Sequence, residues 1–243
     1  MKKFASAWSV VAIVALAAIA DAGVVIDEQQ VIEQPNGNKV TRASTVMIEG
    51  DKQKRIVDNG NRTIITDLGK GTMTMVDGTR KSYVEFPFPP KGGSMAAMQG
   101  GVTPTINFKK TGGHDKIIGY SCDVYSGSGT VGGNAVSMSG CFSDSAPGAN
   151  DYSNFQRKMA DKVKGTSMAN MGQIPQGVQL TLTITTTDRQ FVTTTTVSSI
   201  ATKSLPADSF EVPSGYQKQQ LPAMFGGMGG GPPMPPAPRK VPE

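Results

Sequence analysis

Few residues in this chain have the type and spacing for chemistry. Its two cysteines, Cys122 and Cys141, lie 19 positions apart, and His114 is its one histidine. Methionines recur at short spacing in Met73-x-Met75, Met95-x-x-Met98 and Met168-x-x-Met171, the thioether pattern of a soft-metal site. With no second histidine and no spare thiol to complete such a set, core packing is the better reading, and neither a metal nor a cofactor is expected. Gly127-Ser128-Gly129-Thr130-Val131-Gly132 spells the glycine spacing of a dinucleotide loop. That loop needs a helix to follow, and a strand-like run follows here, so the glycines read as a flexible hairpin loop.

Ser167, in Gly165-Thr166-Ser167-Met168-Ala169, is similar to the serine signature of subtilisin-like proteases. That signature continues into proline, where Met171 stands here, and its serine opens a helix, whereas Gly165 suits a helix end. A triad also needs a base and an orienting acid; His114 lacks the family's His-Gly-x-His context for the base, and no Asp lies in its aspartate motif. No catalytic residue is assigned, and the chain is expected not to be an enzyme.

The remaining features concern placement. Lys2 and Lys3 precede an apolar run from Val10 to Ile19, which ends at Ala20-Asp21-Ala22. This is a signal-peptide pattern covering residues 1–22, with cleavage after Ala22 and export to the periplasm or the extracellular space. The apolar run is too short to span a bilayer, so no transmembrane anchor is expected in the mature chain. Lysines and arginines are interspersed with acids, as in Asp51-Lys52-Gln53-Lys54-Arg55, which reads as a solvated face; nucleic acid is not an expected partner. After Leu221 more than half the residues are Gly or Pro, too little apolar surface to offset ordering. Residues 23–220 are therefore expected to form one β-rich domain, and 221–243 a disordered tail, with a protein contact as its other reading.

Strand-like runs dominate the domain: Val40 to Ile48, Lys54 to Val57, Arg62 to Leu68, Thr72 to Val76, Lys81 to Phe86, Thr105 to Lys109, Lys116 to Ser126 and Asn134 to Phe142. Asn36-Gly37, Asn59-Gly60 and Asp77-Gly78 between the early runs are hairpin-turn pairs, so neighbours should pair antiparallel. The glycine- and methionine-rich stretch from Lys91 to Pro104 reads as a loop. Val178, Leu180, Leu182 and Ile184 alternate with polar residues, and a turn at Asp188-Arg189 returns the chain through Phe191 to Ile200. One helix is expected over about Asp151 to Lys164, with Tyr152, Phe155, Met159 and Val163 on one face, Asn150 or Asp151 as cap and Gly165 as stop.

Export implies an oxidising compartment, where two cysteines pair. A four-residue loop from Thr130 to Gly133, closed by Gly129 and Asn134, sets Cys122 directly opposite Cys141 as a non-hydrogen-bonded pair. A Cys122–Cys141 disulfide across a hairpin is the expectation.

Ile117-Ile118-Gly119-Tyr120-Ser121-Cys122-Asp123-Val124-Tyr125 resembles the Gly-Tyr-x-Cys-x-x-Tyr element of the exported bacterial family known as domain of unknown function 4412. Lys81-Ser82-Tyr83 and the ending Phe210-Glu211-Val212-Pro213-Ser214-Gly215-Tyr216 are similar to that family's pattern, and the likeness runs from about Val24 to Tyr216. The resemblance implies a fold like that of the periplasmic lipoprotein carriers: a mainly β, antiparallel curved sheet or open half-barrel with the helix on its concave face. It brings no catalytic residues. On that fold a non-enzymatic carrier would hold an apolar ligand, a lipid or acyl chain, between sheet and helix. Its candidate lining is Met73, Met75, Tyr83, Phe155 and Met159. Those side chains filling a closed core is the equal alternative, and the function would then be that of an envelope structural or interaction module.

Overall fold

The computed structural model describes residues 22–89, 105–131, 134–164, 174–186 and 191–220. The signal-peptide region, the Lys91 to Pro104 stretch, Met95, Met98, Ser167, Met168, Met171, the Asp188-Arg189 turn and the tail from 221 lie wholly or mainly outside them.

Twelve strands form one open sheet, a half-barrel: β1 (Gly23–Glu33), β2 (Lys39–Glu49), β3 (Lys52–Val57), β4 (Arg62–Asp67), β5 (Thr72–Asp77), β6 (Ser82–Pro87), β7 (Thr105–Ile117), β8 (Tyr120–Val131), β9 (Asn134–Ser143), β10 (Val178–Thr186), β11 (Val192–Lys203) and β12 (Gln217–Lys218). Their order is β12-β6-β5-β4-β3-β2-β1-β11-β10-β9-β8-β7. Two antiparallel meanders, β1–β6 and β7–β11, are joined where β1 pairs with β11; β12 adds to β6 in parallel. β1 is thus the seam of the molecule, although its Asp27-Glu28-Gln29-Gln30 stretch gives it no strand-like alternation.

The helix α1 (Ala149–Val163) packs on one face of this sheet. Tyr152, Phe155 and Val163 are buried on it, at the spacing the sequence shows, and Met159 packs beside them half-buried. Its cap differs from expectation. Gly148, in the left-handed region at φ 71°, opens the helix without a side-chain cap bond, and Asp151 falls inside the first turn, where its charge suits the helix dipole. The helix meets Val24 and Ile26 of β1, Val46 and Ile48 of β2, and Val178 and Leu180 of β10 in the main core.

The opposite face has a second, smaller core. Ile65 and Val76 are covered there by Phe210, with Met47, Tyr83, Leu205, Val212 and Tyr216 around them. The C-terminal segment therefore lies across the back of β2–β6. Lys54 fastens it by donating to the Ser209 carbonyl at 2.8 Å; burial lowers the Lys54 pKa, and Asp208 partly restores it.

Three turns correct the sequence reading. The run Lys116 to Ser126 is not one strand: the chain reverses at Ile118 (φ 45°) and Gly119 (φ 90°), with Ile117 facing Tyr120. Two consecutive positive φ values are what a tight hairpin needs, and Gly119 takes one without strain. Asp77-Gly78 is not a two-residue turn; Asp77 pairs with Ser82, and Lys81 carries the positive φ instead. Finally, β8 runs on through Gly127 to Val131, so Gly127 and Gly129 are strand, not loop. Gly127 makes room for the Phe108 ring, which would come within 3.0 Å of an added Cβ.

That last difference shifts the disulfide hairpin. Val131 faces Asn134 and Val124 faces Cys141, so residues 132–133 alone connect the strands, and the cysteines are diagonal rather than opposite. The bond itself forms as expected: Cys122 and Cys141 are disulfide-bonded at a Cα separation of 5.5 Å, with both residues buried in the main core. Diagonal neighbours are close enough because twist brings one diagonal together.

Candidate ligand-binding site

Strand register determines which side chains share the helix-bearing face. One row runs Ile26–Val46–Arg55–Ile64–Met75–Val84 across six strands, and the next runs Val24–Ile48–Gln53–Thr66–Met73–Phe86. Met73 and Met75 are thus on the face that α1 covers. Tyr83 faces Val76 across β5 and β6 and belongs to the opposite core, so it does not meet the other four candidates.

Directly beneath α1 the space is filled. Phe155, Val24, Ile48, Val178 and Leu180 are fully buried, which places Phe155 in a packed core rather than on the wall of an opening. Met73 and Met159 lie at the margin of that core, half-buried. Past the margin the row opens: Ile64 and Val84 are half-buried, and Met75 is 39% exposed. The five candidates therefore separate into one core residue, two margin residues, one open residue and one on the far face.

Polar groups mark the boundary between packed and open parts. Glu28 is buried, and Arg55 pairs with it, Nη1 to Oε2 at 2.6 Å and Nη2 to Oε1 at 3.5 Å. Ser44 Oγ donates to Glu28 Oε2 at 3.0 Å. Tyr152 stands on α1 near this pair; burial pushes its phenol up to about 12, and the Glu28 carboxylate adds to the rise. A buried carboxylate needs such partners, since an unpaired one would cost several kcal/mol. Sequence reading missed Glu28, Arg55, Ile64 and Val84. Arg55 belongs to a run whose mixed charges read as a solvated face, and only its register with Val46 reveals it.

A cavity of about 510 Å³ flanks α1 on the side of residues 174–177. Met159, Ala160 and Ile174 supply apolar lining; Ser153, Asn154, Gln156 and Arg157 supply polar lining. The remaining motif residues are dispersed. His114 is exposed, with Nδ1 2.8 Å from Asp123, which also holds Lys110; the hydrogen bond from Lys110 lowers the Asp123 pKa most. Among the described residues no three His, Cys, Asp or Glu side chains gather as a metal set, and no helix is long and apolar enough to cross a membrane. The buried disulfide is consistent with export.

Among solved structures, PNGF-II is similar over 84% of this chain and 32% of its own, at 12% identity and TM-score 0.45. The chain thus spans about a third of that protein. An uncharacterized conserved protein from Thermus thermophilus matches over 79% of this chain and 89% of its own, with 8% identity and TM-score 0.45. A putative outer membrane lipoprotein-sorting protein domain from Vibrio parahaemolyticus matches over 78% and 89%, with 12% identity and TM-score 0.36. At these scores the likenesses remain observations. No curated protein matches the chain. The family model described as domain of unknown function (DUF4412) matches residues 38–216, most of the chain. The chain belongs to that family.

Proposed function

We propose that this protein is a non-enzymatic binder of an apolar ligand, a lipid or acyl chain, held on the helix-bearing face beside α1. One observation carries the reading: Ile64, Met75 and Val84 continue the row of the packed core yet stay partly or fully exposed, with Met73 and Met159 along the margin. Apolar side chains aligned beside a core and left partly wet gain when an apolar molecule displaces the water. Residues 1–22 act as a cleaved export signal in this reading, which places the binder in the periplasm or outside the cell; residues 23–220 are the binding domain and 221–243 a tail.

Native mass spectrometry of protein gently purified from its own envelope tests this. The expected result is a co-purifying apolar molecule that is lost in Met75→Asp. Ligand-free protein that also fails to bind a polarity-sensitive alkyl dye would end the proposal. A second reading, an envelope structural or interaction module, draws on the packed core around Phe155, which fills the space directly under the helix. On that reading Met75→Asp changes a protein contact and no small molecule is found.

A further inference from the structure

We infer that the ligand is an amphiphile with an anionic head, a carboxylate at the end of an apolar chain, and that Arg55 receives that head. The inference rests on the binding face proposed above and names what it binds. Arg55 sits in the row at the point where the core ends: Ile26 and Val46 on one side are buried beneath α1, and on the other Ile64 and Val84 are half-buried and Met75 is exposed. From Arg55 to Val84 the strip crosses three strand spacings, about 14 Å, long enough to lay down an extended alkyl chain.

The ion pair is lopsided in a way that favours an anion. The Glu28 side chain is 4% exposed, whereas that of Arg55 is 38% exposed. The acid is hidden, and the arginine side chain stays partly exposed at the inner end of the strip. Its bonds to Glu28 and Ser44 use Nη1 and Nη2. A guanidinium has five N–H donors. Among the described residues no partner reaches Nε, so donors remain for an incoming anion. Glu28 thus holds the fork in one orientation, and an incoming carboxylate meets a pre-positioned donor pair beside an apolar track.

The test compares a fluorescent undecanoic acid with its methyl ester, two probes alike except for the charge. Wild-type protein is expected to bind the acid at least tenfold more tightly than the ester. Glu28→Gln keeps an acceptor for Arg55 but removes the competing charge, so the acid-to-ester ratio should rise at least threefold. Arg55→Gln should bring the ratio close to one; because it strips a buried acid of its partner, Glu28→Gln carries the test if that variant does not fold. Equal binding of acid and ester by wild type would overturn the inference while leaving the apolar binder intact. So would variants that change both affinities together, the mark of a merely structural pair. Failure to bind either probe would overturn the inference together with the function it rests on.

Discussion

Reducing the Cys122–Cys141 bond should weaken the fold mainly through the unfolded chain. The bond closes a loop with a sequence separation of 19. For a ring of that size the lost loop entropy corresponds to about 3 kcal/mol at 25 °C. Urea unfolding of oxidised and reduced protein measures it. With a slope of about 2 kcal/mol/M, reasonable for a domain of this size, the midpoint should fall by about 1.5 M on reduction. The slope itself discriminates the mechanism. A chain freed of its cross-link expands further, so m should rise in the reduced protein. Damage to the native packing around the buried sulfurs would lower the midpoint and leave m alone. A midpoint shift below about 0.3 M, or a full shift without a change in m, would refute the reasoning.

Phe155→Ala should cost roughly 3–5 kcal/mol, since the side chain is fully buried among β1, β2 and β10, whereas Met75→Ala should cost under about 0.5 kcal/mol; urea midpoints separate the two. Ile118→Asn should stabilise by about 1 kcal/mol, because a β-branched residue at φ 45°, 41% exposed at a hairpin tip, is replaced by one that tolerates that conformation. A lower melting temperature for Ile118→Asn would show that the side chain makes a contact the turn depends on. Tyr152 is protonated in the fold up to about 12 but releases its proton near 10 when unfolded, so its contribution, about 2–3 kcal/mol, is present below pH 10 and disappears between 10 and 12. Denaturation midpoints at pH 9 and pH 11 should diverge in wild type and less so in Tyr152→Phe; equal divergence would place the alkaline loss elsewhere.

Much of the fold could be read from the chain because its signals are local. The strand-like runs of β2 to β6 between turn pairs, the alternation of β10 and the 3-4-4 spacing on α1 are each signals within one element. Turns were less legible. Asn59 and Gly60 both adopt positive φ as their pair predicts, but Asn36-Gly37 has only Gly37 there, and Ile118 takes a conformation no propensity would assign to it. The disulfide survived a wrong register because diagonal and opposite neighbours both lie within its reach. The proposed binding face needed something no local pattern contains. Arg55 joins the open strip through Val46, Ile64 and Met75, on three separate strands, and Tyr83 leaves it through the alternation of a single one.

The choice between a closed core and an open lining proves to be a matter of area. Twelve strands at about 4.8 Å spacing make a sheet about 50 Å across. A helix of 15 residues is about 22 Å long and about 10 Å wide. Wherever it lies it covers a minority of one face, and it lies over β1, β2 and β10. The segment from Leu205 to Tyr216 protects the back of β2–β6 but cannot also protect their front. Residues of one alternating set are consequently core where α1 reaches, as Ile26 and Val46 are, and open where it does not, as Met75 is. Among the described residues neither device of the fold covers this apolar strip, and the polar group at its inner end is Arg55.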